Sequence, residues 1–482
     1  MKKVYTVLLS LVLCSALCVG LISVLDHDEL VASGENRQIK KPEFTLASFL
    51  DGSFMTELDD YYTDTFPARQ KLLKANKWLN NFYYFSGSGE ENLLVIGGST
   101  GAEMGGQSLD AVTKAAQPPE QSAPEQAAPA QEQTSETAPA ENAPPETEPE
   151  TADQTPQEAE EPAHVDPELP GVAEEEASYA GAVVIVGDRA MEIPTRLDDI
   201  IETYAAAVDH LNISLDGVRT ISLVTPNGAA FYSPESMHTG AHDQKEMIEY
   251  CYSCMGDDIV TVDAYSAIRS HIDEYIYFRT DHHWTQLGAY YAYTAFCEAA
   301  GFDAVALEEF PSGKYRNFLG SMYTFTSGYP QSEILKENPD YLDYYLPIRQ
   351  THAKYYANGD LENGTEVSVV FTGLNDDFSN KYLCYIGGDT PVCVIETDLE
   401  DAPVCIVLKE SYGNAFVPFL TSHYSKIIVI DPREFNRDGK PSLNLAEFAK
   451  DKDVDDLIVI NYPYMINTKN YVSWLERLAG NG

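Results

Sequence analysis

Three continuous apolar runs near the C-terminus constrain the fold of this chain more than any other feature. They cover residues 404–408, 427–430 and 457–460, and no charged side chain interrupts them. Such runs are typical of strands that are buried on both faces of a parallel sheet. Helical patterns and shorter strand patterns alternate with them at residues 197–211, 221–224, 259–262, 286–300, 413–424 and 443–450. The alternation predicts an α/β fold, a doubly wound sandwich with its functional sites at the carboxyl ends of the strands.

A low-complexity segment over residues 103–178 interrupts this pattern. It is rich in Pro, Glu and Ala, and no Lys or Arg occurs between Lys114 and Arg189. With so few large apolar residues it cannot bury enough surface to offset the entropy of ordering, so we expect it to be disordered. Apolar runs at residues 93–96 and 182–186 flank the segment, and their pairing as a hairpin would make it an insertion into one domain.

The N-terminus has the pattern of a membrane anchor. Lys2 and Lys3 precede an uncharged apolar stretch over residues 4–25, which is about the length needed to cross a bilayer as a helix. A cleaved signal peptide, the alternative, would have a shorter apolar region. We therefore predict a signal anchor over residues 1–28, a membrane-proximal segment over 29–102 and an exported catalytic domain over 179–482.

Charge and cysteine content exclude several kinds of partner and site. The formal net charge is −45 at pH 7, whereas nucleic-acid binding requires clustered Lys and Arg, so no nucleic-acid partner is expected. Cys251 and Cys254 form one close pair, and Cys384 and Cys393 flank a probable turn. In an exported protein these pairs are predicted to be disulfides or inert buried thiols. No second pair stands at zinc-like spacing, and we expect no metal and no cofactor.

Ser411 is the candidate nucleophile. It follows the predicted strand at residues 404–408 and precedes the predicted helix at 413–424, which places it beside the amides of a helix N-terminus. Such amides stabilise an oxyanion. The alternative is that Ser411 only caps the helix. Ser99 also follows an apolar run, but low-complexity sequence comes after it, and an ordinary turn explains it.

Asp281 and His283 are the candidate partners of this serine, which needs a base to become a strong nucleophile. They lie two positions apart in a segment that we predict to be extended, so their side chains should lie on the same side. The carboxylate would then orient the imidazole and stabilise its cation. His282 would point the other way and is predicted to be structural. The alternative for an Asp beside two His residues is a metal site.

Five further residues complete the predicted site. Asn414 and Gly413 would donate to the oxyanion, unless they only provide the polar start of a helix. Lys409 and Arg433 would hold the charge of a substrate or donor, unless they are solvated strand ends. Trp284 is predicted to be a packing residue or a pocket wall.

The run Asp281-His282-His283-Trp284 resembles the motif that names the DHHW family, a bacterial group similar to the SGNH-like O-acetyltransferases of alginate assembly. The resemblance covers most of the chain outside the low-complexity segment. Its other pieces, in chain order, are Glu35, Asn36, Arg37 and Pro42; Asp64, Phe66, Pro67 and Arg69; Pro226 and Asn227; Gly320, Ser321, Met322 and Tyr323; residues 409–414; and Asp431, Pro432 and Arg433. Glu410 departs from the pattern, which would have Asp beside the nucleophile, and no carbohydrate-binding module is apparent after the catalytic domain.

This resemblance implies both a fold and an activity. The fold would be an SGNH-hydrolase-like three-layer sandwich with a parallel sheet, in which Asp281, His283 and Ser411 form a catalytic triad. The enzyme would acetylate hydroxyls of a cell-surface polysaccharide through an acetyl-Ser411 intermediate, outside the cell membrane, with a membrane protein as acyl donor. Two alternatives stay open: an acyl esterase of carbohydrates or lipids with the same triad, and a non-catalytic scaffold or glycan-binding protein of the envelope.

Overall fold

The computed structural model describes residues 167–374, 378–437 and 439–480. Its strands are β1 Ala177–Ala180, β2 Val183–Val186, β3 Arg189–Glu192, β4 Arg219–Val224, β5 Val260–Thr261, β6 Ser312–Phe318, β7 Asp340–Tyr345, β8 Thr351–Tyr356, β9 Thr365–Val367, β10 Val392–Thr397, β11 Val404–Lys409, β12 Lys426–Ile430 and β13 Asp456–Asn461. The central sheet has eight strands in the order β5-β4-β13-β11-β12-β10-β8-β9. The chain therefore has a mixed α/β fold with a central sheet, as predicted.

The first five strands in this order, β5, β4, β13, β11 and β12, pair in parallel. The three apolar runs of the sequence are β11, β12 and β13, and every residue of β13 is buried. Such complete burial is expected when both faces of a strand are covered. Ser411 follows β11 directly, so it lies at the carboxyl edge of the sheet.

The remaining three strands of the sheet pair in antiparallel fashion: β10 with β12 and with β8, and β8 with β9. The sheet is therefore mixed, whereas the sequence analysis predicted a parallel one. In β8 only two of the six residues are buried, because this part of the sheet has a more exposed face. A half-exposed strand has no continuous apolar run, and the apolar-run pattern could not find it.

The helices are α1 Asp198–Ser214, α2 Ala229–Tyr232, α3 Gln244–Ser253, α4 Ala264–Arg269, α5 Gln286–Ala300, α6 Ser321–Thr326, α7 Ser332–Glu337, α8 Gly413–Leu420, α9 Leu445–Ala449, α10 Pro463–Ile466 and α11 Lys469–Leu478. Helices α1, α3, α9, α10 and α11 pack in one group, and α5 packs against α4 and α8. The bounds of α5 agree with the prediction because both ends are capped. The Thr285 side chain accepts a hydrogen bond from the Gly288 N–H, and Gly301 adopts a left-handed conformation after the last turn.

Two sequence predictions near the low-complexity segment need correction. Strand β2 pairs with β1 on one side and β3 on the other along its whole length. Both edges of β2 are therefore filled, and the predicted hairpin with residues 93–96 is wrong at this strand. The predicted domain boundary between residues 178 and 179 falls inside β1.

The six cysteines in the described part of the chain are free thiols. Cys251 lies in α3 and Cys254 directly follows it. Both thiols are free in the structure, so the predicted disulfide is not formed there. Cys384 and Cys393 are buried, and burial raises the pKa of the Cys393 thiol to about 12. The alternative of inert buried thiols fits Cys251, Cys384 and Cys393, whereas Cys254 is only partly buried.

Several predictions concern residues outside the described part of the chain. They are the anchor helix over residues 4–25, the membrane-proximal segment, the apolar run at 93–96, Ser99 and the low-complexity segment up to residue 166. Among the described helices, none is both long enough and apolar enough to span a bilayer.

Replacing Ile458 by Ala should destabilise the protein by about 2–5 kcal/mol, because it leaves a cavity at a fully buried position of β13 in the central sheet. Ile213 on α1 is 75% exposed, and Ile213→Ala should change stability by less than about 0.5 kcal/mol. Urea unfolding followed by circular dichroism measures both changes. Equal effects at the two positions would contradict this packing.

Candidate active site

Asp281 and His283 lie on a tight loop that a bridge between Tyr277 and Trp284 closes. The chain bends at residues 279–283, whereas the sequence predicted an extended segment. The bend follows from Asp281, whose Oδ1 accepts a hydrogen bond from the His283 N–H at 3.0 Å. Asp side chains commonly form such a turn with the backbone two residues on. The two side chains therefore meet as predicted, but through a turn.

Asp340, in β7, anchors the start of this loop. Its Oδ2 accepts hydrogen bonds from the Thr280 N–H at 2.7 Å and the Thr280 hydroxyl at 2.6 Å. The Arg279 N–H donates to both carboxyl oxygens at 3.1 Å. No sequence signal pointed to Asp340, because β7 pairs antiparallel with β6 in a separate two-stranded sheet and has no recognisable motif around it.

Ser411, His283 and Asp281 form a continuous chain of hydrogen bonds. His283 Nε2 lies 2.8 Å from Ser411 Oγ, and His283 Nδ1 lies 2.6 Å from Asp281 Oδ1. A carboxylate can only accept a hydrogen bond, so Nδ1 carries the hydrogen and Nε2 is free to accept the serine proton. The structure thus brings together the three residues predicted to carry the chemistry, in the order that proton transfer requires.

Asp281 stays ionised although it is only 6% exposed. Burial alone would raise its pKa, but the charge of His283 and the hydrogen bond to it hold the pKa of Asp281 below its usual value. The Ser321 N–H adds a hydrogen bond to Oδ2 at 2.7 Å. A Cβ atom on Gly320 would lie 2.3 Å from the same oxygen, so only glycine fits there.

His282 has a different environment from His283. Its Nδ1 hydrogen-bonds the Ser321 hydroxyl, and its ring centroid lies 3.8 Å from that of His283. Burial, helped by the charge of His283, lowers the pKa of His282 to about 3. His282 is therefore neutral near pH 7 and makes no hydrogen bond to Ser411. Its ring lies beside that of His283, however, and does not point the other way as predicted, because the loop bends at this position.

Tyr382 and Trp284 fix the positions of the base and the nucleophile. The Tyr382 ring stacks on His283 with centroids 3.9 Å apart and an interplanar angle of 11°, and its hydroxyl donates to the Ser411 carbonyl at 3.0 Å. Trp284 is fully buried, and its indole N–H donates to the Tyr412 carbonyl at 2.9 Å. Trp284 is thus a packing residue and not a pocket wall. No motif pointed to Tyr382, because it comes from a separate segment of the chain.

Lys409, Arg433 and Asn414 all bind one carboxylate, Asp389. Lys409 Nζ lies 2.8 Å from Asp389 Oδ1, and Arg433 Nη2 lies 2.6 Å from Oδ2. Asn414 Nδ2 donates to Oδ1 at 3.2 Å. The charges of Arg433 and Lys409 hold the pKa of Asp389 below its usual value despite its burial. The geometry does not support the two cations as substrate ligands, since they are already paired and the Lys409 side chain is 1% exposed.

In the sequence, Asp389 is a polar residue after a predicted turn, and no local pattern marks it as the partner of two cations. Gly387 and Gly388 both have positive φ angles, of 67° and 93°, which glycine adopts readily. This turn carries Asp389 to the two cations. The role of Asp389 depends on its contacts with Lys409 in β11 and Arg433 after β12, which are both remote from it in sequence.

Most backbone amides after Ser411 already donate hydrogen bonds. The Gly413 N–H donates to the Glu410 carbonyl at 3.0 Å, and the Asn414 N–H donates to the Ser411 carbonyl at 3.1 Å. Gly413 is therefore not the free oxyanion donor that was predicted. Its small size has another use, because a Cβ atom there would lie 2.5 Å from the Cβ of Lys409.

Glu192 is a second buried acid beside the catalytic loop. It is 2% exposed, and its carboxyl interacts with the Tyr462 hydroxyl but makes no well-aligned hydrogen bond among the described residues. It lines a small cavity together with Asn227, Asp281, His282 and His283, with room for about one water molecule. Burial raises the pKa of Glu192 to about 8. The side chain is therefore largely neutral near pH 7.

The metal alternative depends on Asp281, His282 and His283, whose potential ligand atoms lie within 4.8 Å of one another. Both ring nitrogens of His283 already make hydrogen bonds, Nδ1 to Asp281 and Nε2 to Ser411. A metal ion bound to His283 would therefore displace one of these two partners. The arrangement therefore favours proton transfer over metal binding.

Comparisons with known proteins agree with this fold. A family model described as DHHW protein matches residues 155–430. A DHHW family protein from Eubacterium siraeum has a similar structure, with 27% identity and a TM-score of 0.55, over 63% of this chain and 97% of that one. No curated protein matches this chain.

Two further solved structures are more distant. PatB1 of Bacillus cereus, solved with a sulfonyl adduct, has 17% identity and a TM-score of 0.48, over 60% of this chain and 97% of that one. The O-acetyltransferase domain of AlgJ from Pseudomonas putida has 14% identity and a TM-score of 0.35, over 59% and 91% of the two chains. These two superpose too loosely to support an inference about residues.

Replacing Glu192 by Gln should change how stability depends on pH. The folded-state pKa of Glu192 lies above that of an unfolded chain, so the wild-type stability associated with the neutral acid is complete below about pH 4.5 and is lost as the pH rises through about 8. Relative to E192Q, the free energy of unfolding of the wild type should fall by up to about 1.4 kcal/mol per pH unit in this range.

Urea unfolding at pH 5, 7 and 9 measures the difference. Glu366, whose side chain is 74% exposed, offers a matched control, and Glu366→Gln should follow the wild-type pH dependence. A constant difference between wild type and E192Q would contradict the assignment of a buried neutral acid.

Proposed function

This chain belongs to the DHHW family, and from that premise we propose that it is a serine-dependent O-acyltransferase with an SGNH-hydrolase-like catalytic domain. The observation that carries the proposal is the hydrogen-bonded series Ser411–His283–Asp281 at the carboxyl edge of the sheet. A buried, ionised Asp, an imidazole with one free nitrogen and a serine within 2.8 Å of that nitrogen are the parts that acyl transfer needs.

In the first half of the reaction the Ser411 oxygen attacks the carbonyl carbon of an acyl ester. His283 Nε2 takes the serine proton as the new C–O bond forms, and Asp281 stabilises the resulting imidazolium. The tetrahedral intermediate then breaks its bond to the alcohol of the donor. His283 returns the proton to that alcohol as it leaves, and Ser411 holds the acyl group as an ester.

In the second half a sugar hydroxyl attacks the acyl-Ser411 ester. His283 takes the proton of this hydroxyl and gives it to the serine oxygen as the acyl group moves to the sugar. Each half reaction forms and breaks one ester bond, and the proton is returned each time. The enzyme ends the cycle in its starting state without a cofactor.

The oxyanion of each intermediate needs hydrogen-bond donors near Ser411. The Gly413 and Asn414 backbone amides are engaged within the turn. We assign the role to the Ser411 N–H and to the second Nδ2 hydrogen of Asn414, whose first hydrogen binds Asp389. Asn414 thus keeps its predicted role as an oxyanion donor, now with Asp389 fixing its orientation.

The location, partners and acceptor also belong to this proposal. The apolar stretch after Lys2 and Lys3 supports a single membrane anchor with the catalytic domain outside the cell. A membrane protein would supply the acyl groups, and a cell-surface glycan would accept them. The strongly acidic chain would repel an anionic polymer, which favours a neutral or positively charged acceptor.

A carbohydrate or lipid acyl esterase is the second candidate function. The same hydrogen-bonded series would serve it, because a water molecule can replace the sugar hydroxyl in the second half reaction. A non-catalytic scaffold is the third, in which Ser411 would not react.

Ser411→Ala and His283→Ala should each lower kcat/KM for an activated acetyl ester by at least about three orders of magnitude, and the double variant should lose little more. The losses are not additive because the two residues act in one proton transfer. His282→Ala, on the neighbouring histidine, should cost far less. Stopped-flow assays with 4-nitrophenyl acetate measure these rates.

Three results would contradict this assignment. An essential His282 with a replaceable His283 would reverse the roles of the histidines. Activity abolished by EDTA would favour the metal alternative. Failure of a serine-directed organophosphonate to label Ser411 in the folded protein, judged by mass spectrometry, would favour the scaffold.

Transfer is distinguished from hydrolysis by following the acyl group. With an acetyl ester as donor and a panel of oligosaccharides, the wild type should produce acetylated sugar and Ser411→Ala should not, because a bound hydroxyl outcompetes water through its high effective concentration. Mass spectrometry measures acetylated sugar and free acetate. Acetate release that no acceptor changes, together with deacetylation of native glycans, would instead identify an esterase.

A further inference from the structure

Glu410, directly before the nucleophile, is fully buried and contacts the reacting group. Its Oε2 accepts a hydrogen bond from the Tyr412 N–H at 3.0 Å and lies 3.3 Å from Ser411 Oγ. The Ser411 hydroxyl therefore has two acceptors within reach, His283 Nε2 at 2.8 Å and Glu410 Oε2. The other oxygen of Glu410 has no hydrogen-bond partner among the described residues.

The groups around Glu410 do not neutralise it fully. Arg433 and His283 favour its ionised form, but Asp389 opposes it, and Arg433 is already held by Asp389 and Asp431. The titratable groups that interact with Glu410 from the surrounding elements are Glu192, His283, Tyr382, Asp389, Tyr412, Arg433, Tyr462 and Tyr471. Burial outweighs the favourable charges and raises the pKa of Glu410 to about 7.

We propose that Glu410 is a positioning residue whose charge controls the nucleophilicity of Ser411, an inference that rests on the proposed role of Ser411. When Glu410 is neutral, the Ser411 hydroxyl hydrogen points to His283, the productive direction. When Glu410 is ionised, its Oε2 becomes a stronger acceptor and competes for that hydrogen.

The electrostatics of the transition state act in the same direction. When Ser411 attacks, the carbonyl oxygen of the acyl group becomes an oxyanion on the carbon to which Oγ is now bonded. An ionised Glu410 beside Oγ repels this oxyanion. An ionised Glu410 also stabilises the His283 cation, which opposes this effect. Glu410 interacts with the charge of His283 as well, but it is hydrogen-bonded to Oγ itself, and we assign the larger effect to the repulsion and to the competition for the hydroxyl hydrogen. Ionisation of Glu410 should therefore slow the reaction of Ser411.

The rate at which an organophosphonate labels Ser411, measured from pH 6 to 9 by mass spectrometry, tests this without any acyl acceptor. The wild-type rate should fall about tenfold between pH 7 and 9. Glu410→Gln still accepts the Tyr412 N–H but cannot ionise, so its rate should not fall. Glu192→Gln, the matched change at the other buried acid, should retain the wild-type decline.

Each outcome separates this proposal from the function on which it rests. Absence of labelling at every pH would refute the role of Ser411 itself. Labelling with the same alkaline decline in wild type and E410Q would refute only the role of Glu410, as would a wild-type rate that keeps rising to pH 9. If E410Q does not fold, Glu410→Asp decides: its shorter side chain draws the carboxyl away from Oγ, so its decline should be weaker, and an equal decline would overturn the proposal.

Discussion

The geometry of the site depends on one buried negative charge, that of Asp281. An isolated carboxylate in a protein interior is strongly unfavourable unless donors surround it. Two of the donors come from His283, and the third is the Ser321 N–H, from a remote segment of the chain. The same requirement makes Gly320 necessary, because a side chain there would collide with the carboxylate. The bend of the catalytic loop and its contact with the start of α6 are thus consequences of keeping Asp281 ionised.

The buried acids around the nucleophile fall into two kinds with different consequences. Asp281 and Asp389 have donors or cations on their oxygens, and their pKa values lie below the usual range. Glu192 and Glu410 have few hydrogen-bond donors and no directly bonded cation, and burial raises their pKa values to about 8 and about 7. The first kind holds the catalytic loop and the nucleophile turn in place. The second kind is largely or partly neutral near pH 7, which limits the negative charge beside Ser411, where an oxyanion would develop.

The sequence predicted the parts of this protein that depend on local patterns. The continuous apolar runs identified β11, β12 and β13, a helical pattern identified α5, and the spacing of Asp281 and His283 identified the pair that meets Ser411. The antiparallel strands escaped because half-exposed strands leave no apolar run. Tyr382, Asp340 and Asp389 escaped because their roles arise from contacts between segments far apart in the chain. Lys409 and Arg433 were recognised as belonging to the site, but only the fold shows that Asp389 pairs with both.

The pairing of these two cations bears on which acceptor the enzyme would use. Lys409, at the end of β11, and Arg433, after β12, both form ion pairs with Asp389, which also binds Asn414 in the nucleophile turn. Releasing either of them to bind an anionic glycan would remove one of the two cations that stabilise the charge of the partly buried Asp389, which is unfavourable. The whole chain is also strongly acidic, which disfavours the binding of an anion. Recognition of an acceptor at this site would therefore have to depend on hydrogen bonds to neutral hydroxyls, or on attraction of a cationic sugar, and not on ion pairs with an anionic polymer.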